Sequence, residues 1–170
     1  MSSLEQNNEN IYKDFTLTLA LVDAVPVILF SITCVIIGSA FNNLLFLIGA
    51  FMAIAGGACK VLWKVFLSTI HKDIRFLNRP LFIVLMSGGF LLMVLSIILS
   101  ASRISWKAFM SAVFSFPALL FFALGILGLC AMTIFFKKHD KTDVKNNWVE
   151  QITNCFAQAM ILIGVIFACN

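Results

Sequence analysis

The sequence predicts an all-α, polytopic membrane protein: a bundle of five transmembrane helices, with the N-terminus inside and the C-terminus outside. Three observations predict it. Of the 170 residues, 61% are hydrophobic and 12% charged, against about 45–50% and about 25% in an ordinary soluble domain. The apolar residues gather into stretches at 16–40, 44–67, 81–101, 108–136 and 152–169, and roughly 18 in a row is enough to cross a bilayer as a helix. The basic residues between the stretches are distributed unequally. Together these exclude a soluble globular enzyme, a disordered chain and a nucleic-acid-binding domain, and they make the lipid bilayer the first partner.

Helices follow from continuity. A spanning strand alternates apolar and polar residues, and runs such as Leu44–Ala58 and Leu91–Ala101 do not. In hydrocarbon every backbone group must be bonded internally, which a continuous apolar run achieves as a helix. The chain is expected to divide into a polar, disordered tail at 1–15 and a single transmembrane domain at 16–170. The tail lacks the basic start of a secretory signal, so the run after it reads as an uncleaved first span.

Orientation comes from Lys and Arg. With the N-terminus inside, the inner side holds Lys13, then Lys60, Lys64, Lys72, Arg75 and Arg79, then Lys137, Lys138, Lys141 and Lys145. The outer side holds Arg103 and Lys107. Phe41-Asn42-Asn43 is the turn of an antiparallel hairpin between the first two helices. From Val61 to Asn78 apolar residues recur every three or four positions, which predicts that the second helix continues as an amphipathic extension along the inner interface. Trp106 and Trp148 suit the interface belts, and Trp63 suits an interfacial anchor beside Lys60 and Lys64.

Asp23 is the one acidic residue well inside a span. A central Asp costs roughly 2.5–3.5 kcal/mol on insertion scales, so such a residue faces protein or water and marks a site. Pro26 removes one backbone donor, frees the carbonyl of Val22 and is expected to kink the helix. At a rise of about 1.5 Å per residue, Asp23 and Lys60 both lie about 10 Å from the inner end of antiparallel neighbours. A buried Asp23–Lys60 pair is therefore expected. Gly49, Ala53 and Gly57 recur every four residues and form a stripe that lets a second helix approach closely, with Lys60 and Lys64 continuing that face. On the fifth helix Glu150, Asn154 and Gln158 share one face. Asp23, Lys60, Asn154, Gln158 and Ser87 are the expected substrate- or ion-binding residues, in the inner half of the bundle. Pro117 is expected to kink the fourth helix.

No catalytic motif, metal-ligand spacing or phosphate loop stands out, so neither enzyme chemistry nor a cofactor is expected. His71 and His139 are expected to be solvated loop residues. The five cysteines read as small apolar side chains within the spans. The function expected first is a permease or channel-like protein for a small solute or ion, in which Asp23 titrates or binds a cation while Lys60 balances it. The alternative is a non-catalytic membrane subunit or scaffold that assembles with a partner protein, in which Asp23 and Lys60 form a structural lock. Oligomerisation is expected because so small a chain encloses little space. The expected location is the inner membrane of a bacterial or archaeal cell, since the chain has no N-x-Ser/Thr sequon.

Overall fold

The computed structural model describes residues 16–70, 72–138 and 144–169. The tail at 1–15 with Lys13, and Lys141, His71 and His139, lie outside the described residues. Within them the chain is helical, without strands. Helix α1 spans Leu17–Phe41, α2 Leu44–Ile70, α3 Phe82–Leu99, α4 Trp106–Val113, α5 Ala118–Lys138 and α6 Val144–Cys169. Five segments are long and apolar enough to cross a membrane: α1, α2, Leu77–Leu99, Ala118–Phe135 and α6. They mark a multi-pass membrane protein. Large apolar side chains stand exposed along each of them, among them Leu21, Phe51, Leu91, Leu127 and Ile152, as expected where the solvent is lipid rather than water.

Local chemistry explains the helix ends. Thr16 caps α1 by accepting the N–H of Leu19 through its hydroxyl. At the other end Asn42 takes the left-handed conformation (φ 44°) and returns its N–H to Gly38 O, a stop that asparagine tolerates well. Asn43 then starts α2, its side-chain oxygen accepting the N–H groups of Leu45 and Phe46. The expected three-residue hairpin is thus a C-cap followed directly by an N-cap.

The amphipathic extension does not run to Asn78. Helix α2 ends at Ile70, and a single π-helical turn, Leu77–Leu81, leads into α3. Asp73, in the connection, accepts a hydrogen bond from Trp63 Nε1 at 2.9 Å and pairs with Arg75 at 3.0 Å. This draws the chain back toward α2 instead of along the interface. Trp63 is not an interfacial anchor: it is buried with Leu19 and Leu67, and Leu77, Val144 and Trp148 pack around them.

The expected span 108–136 is also not one kinked helix. It is two, α4 and α5, separated at Phe114–Pro117. Pro117 has no N–H to donate into a continuing ladder, and Leu119 restarts it by donating to Ser115 O. Pro26 behaves differently: α1 passes through it without a break.

The helices are neighbours in the order α3, α2, α1, α6, α5. The last helix lies between the first and the fifth, and α3 does not pack on α5. The row is bent, because Phe30 of α1 reaches Phe90 of α3 at 5.7 Å between ring centroids. One end of the bundle carries the start of α1, the α2–α3 connection and the start of α6, and with them Lys60, Lys64, Lys72, Arg75, Arg79 and Lys145. The opposite end carries Arg103 and Lys107.

Small residues set the closest approaches. Gly49 and Ala53 pack on α3, where a Cβ on Gly89 would lie 2.5 Å from both Gly49 O and Ala53 N. Gly57 faces the other way, toward Val27 of α1, and Gly56 rather than Gly57 continues the α3 contact. Gly125 and Gly128 of α5 admit Ala157 and Ile161 of α6 in the same manner. Gly89→Ala is therefore expected to force two backbones apart and destabilise the protein by about 1–3 kcal/mol. Gly88→Ala, whose new Cβ would meet only Met52 Cε, should be close to neutral. Thermal unfolding of both variants in one detergent checks this.

Candidate functional site

Asp23 enters the bundle from α1 and is 5% exposed. Its partner is Lys64, not Lys60. Lys64 Nζ lies 3.2 Å from Asp23 Oδ2, and Lys64 is 3% exposed. Lys60 instead reaches Glu150 of α6 at 3.5 Å and stands 5.8 Å from the ring centroid of Phe82. The two lysines, one turn apart, thus tie α2 to different helices. They do not continue one common stripe with Gly49, Ala53 and Gly57, which itself divides between two neighbours.

The two ion pairs differ in kind. Lys60 is partly open, with 28% of its side chain exposed, and a pair of that sort contributes little. Asp23 and Lys64 are both withdrawn from water, where removal of one partner would strand the other charge at a cost of about 3–5 kcal/mol. Apart from this contact, neither Asp23 Oδ2 nor Lys64 Nζ has a hydrogen-bond partner among the described residues.

A third group belongs with them. Gln151 is 1% exposed, and both ends of its amide, Oε1 and Nε2, are buried without a hydrogen bond. On α6, Val144, Trp148, Gln151 and Cys155 follow the i, i+4, i+7, i+11 spacing of one helix face. Val144 and Trp148 pack on Leu19, Trp63 and Leu67, and Cys155 reaches α1. Gln151 sits between them, so it is turned toward the junction of α1 and α2. Buried polar groups are nearly always bonded. Among the described residues the buried side-chain atoms without a hydrogen bond gather here, two of them ion-paired with each other and two on the Gln151 amide.

Cys155 carries a role that composition did not suggest. Its thiol donates to Val22 O at 3.8 Å, the carbonyl that Pro26 leaves without its helical partner. The bond is weak, but it joins α6 to α1 one turn beyond Gln151.

The remaining expected residues do not join this junction. Ser87 is on the exposed face of α3, while Asn154 and Gln158 are half-buried, farther along α6. The polar residues that α6 buries are Asn147 and Gln151. Asn147 lies before the expected start of the span at 152, whereas α6 begins about two turns earlier, and Gln151 is about 100° round the helix from Glu150, where the expected polar face begins.

The chain matches no protein-family model, and neither a curated protein nor a solved structure is similar to it at a significant level.

The contrast between the lysines can be measured. In the folded protein a water-soluble amine-acylating reagent should modify the exposed Lys72 readily, Lys60 more slowly and Lys64 hardly at all, with Lys64 becoming reactive on unfolding. Peptide mapping after a short pulse reads the three sites. Equal labelling of Lys60 and Lys64 would contradict the burial described. Separately, Cys155→Ser should keep the stability of the native chain, whereas Cys155→Ala should lose about 0.5–1 kcal/mol.

Proposed function

We propose that this chain is a small permease or channel-like membrane protein for a small solute or ion, and that its polar site is the junction of Asp23, Lys64 and Gln151. A single observation carries the reading. Within an apolar bundle, a carboxylate and an ammonium are buried against one another, and beside them both ends of an amide are buried without a hydrogen bond among the described residues. Ionisable residues inside a membrane are costly and are retained where a substrate, ion or proton passes. Donor and acceptor together suit a small polar or charged solute, which would complete the bonds the three side chains leave open. Lys60 and Glu150 flank the site on the same end of the bundle and keep it charged on both signs.

The segregation of basic residues supports an orientation with the N-terminus and the α2–α3 connection inside. The polar junction then lies nearer the inner face, within a single transmembrane domain. A bacterial or archaeal cell membrane is the proposed location, and no catalytic role is assigned to any residue.

A second reading is favoured by a different observation. The helix row is open, because α3 and α5 do not pack on one another. A further helix, from a second copy or another membrane protein, could complete it, and the chain would then be a non-catalytic subunit with Asp23–Lys64 as a structural lock.

Flux assays in liposomes separate the two. The protein should carry one or more of a panel of protons, monovalent cations, small anions and neutral solutes. Asp23→Asn, folded to the same extent, should reduce that flux at least tenfold, as loss of a charged group from the path requires. Undiminished flux in Asp23→Asn would remove Asp23 from the mechanism. Absence of any flux, together with a stoichiometric complex in native mass spectrometry of gently extracted membranes, would favour the subunit.

A further inference from the structure

A second polar feature lies at the opposite end of the bundle from Asp23. The α1–α2 turn and the α3–α4 connection enclose a half-open cavity of about 500 Å³, within the range that small ligands occupy. Its polar lining comes from Asn42, Asn43, Ser100, Arg103 and Ser105. This is not the site of the proposed transport function, and none of these residues was expected to bind anything.

The chemistry of the cavity is one-sided. From Ala24 to Lys72 and from Ile74 to His139 the sequence contains no Asp or Glu. The guanidinium of Arg103 therefore has no acidic partner from either wall. The hydroxyls are set to donate. Ser100 Oγ already accepts the side-chain N–H of Asn43 at 2.7 Å, which leaves its own proton for another acceptor. Asn43 in turn is fixed, because its oxygen accepts the N–H groups of Leu45 and Phe46. Ser105 precedes α4 yet makes no capping bond with its side chain, so its hydroxyl is also uncommitted. Trp106 closes the connection by donating to Ala101 O at 2.9 Å, and Arg103 N bonds Ser100 O at 2.9 Å. Together these bonds hold the loop that presents Arg103.

We propose that this cavity binds an anionic phosphate group through Arg103, with Ser100 and Ser105 donating to its oxygens. A guanidinium without an acidic partner among the described residues, beside hydroxyls able to donate, matches a tetrahedral oxyanion, for which Arg supplies a planar fork of donors. The group can be carried by a phospholipid headgroup, given that the cavity opens at the end of the apolar spans, or by a soluble phosphate.

The full chain in micelles tests this. Native mass spectra are taken after exchange into mixtures of phosphatidylglycerol and phosphatidylcholine, and inorganic phosphate is titrated calorimetrically. The native chain should retain phosphatidylglycerol over phosphatidylcholine, or bind inorganic phosphate. Retention of the lipid alone assigns a headgroup, and phosphate binding assigns a soluble anion. In either arm Arg103→Gln should weaken binding roughly tenfold or more, the loss expected for a charge-assisted bond. Ser105→Ala should weaken it by a smaller factor, while Lys72→Gln, at the opposite end, should leave it unchanged. The proposal is overturned if Arg103→Gln binds both probes as the native chain does, if Lys72→Gln loses as much as Arg103→Gln, or if neither probe binds the native chain.

Discussion

The structure depends on one electrostatic constraint: a carboxylate has been placed inside an apolar helix and must be answered there. Asp23 cannot reach water from where α1 holds it, so the bundle has to bring it a cation. Lys64 provides that charge from α2, and the positions of α1 and α2 at this end follow. Helix α6 then closes over the pair, setting Trp148 against Leu19 and Trp63 on one side and Cys155 against the carbonyl freed by Pro26 on the other. The last helix in the chain thus lies against the first. A buried ion pair of this kind is a poor source of stability compared with apolar packing.

The packing that surrounds this junction is of another sort. Lipid gives helices no hydrophobic reason to associate, so close backbone contact has to do so. Gly49, Ala53, Gly56 and Gly89 bring α2 and α3 together, and Gly125, Gly128 and Ala157 do the same for α5 and α6. The bundle is thus two tight pairs, α2–α3 and α5–α6, with α1 between them. The polar junction is formed where α1 meets one member of each pair. Such an arrangement leaves the junction as the contact that depends on side-chain charge rather than on backbone approach.

Much of this was legible in the sequence, and the exceptions have physical causes. The spans were legible because hydrocarbon tolerates no interruption, and Asp23 because it interrupts one. The hairpin at Asn42 and Asn43 was legible because both residues have local bonding habits. The choice of Lys64 over Lys60 was not. Matching depths at a fixed rise compares backbone levels, and a lysine stem can carry its charge to another level. The role of Gln151 was missed because the spacing of Glu150, Asn154 and Gln158 marks a polar face that begins one residue, about 100°, away from it. The break at Pro117 was underestimated because hydropathy runs across it, and Pro26 shows that a proline alone does not decide between a break and a continuous helix. The stripe Gly49, Ala53, Gly57 was read as one face, whereas the α3 contact follows Gly49, Ala53 and Gly56 and leaves Gly57 to α1.

The central claim is that Asp23 and Lys64 answer each other's charge inside the bundle. A double-mutant cycle measures it most directly, with Asp23→Ala and Lys64→Ala made singly and together and stability read by reversible unfolding in mixed micelles. The account predicts a coupling energy of about 1.5–3 kcal/mol for this pair, and for the same cycle with Lys60→Ala a value within about 0.5 kcal/mol of zero. Additive losses for Asp23 and Lys64, or a larger coupling of Asp23 to Lys60, would contradict it.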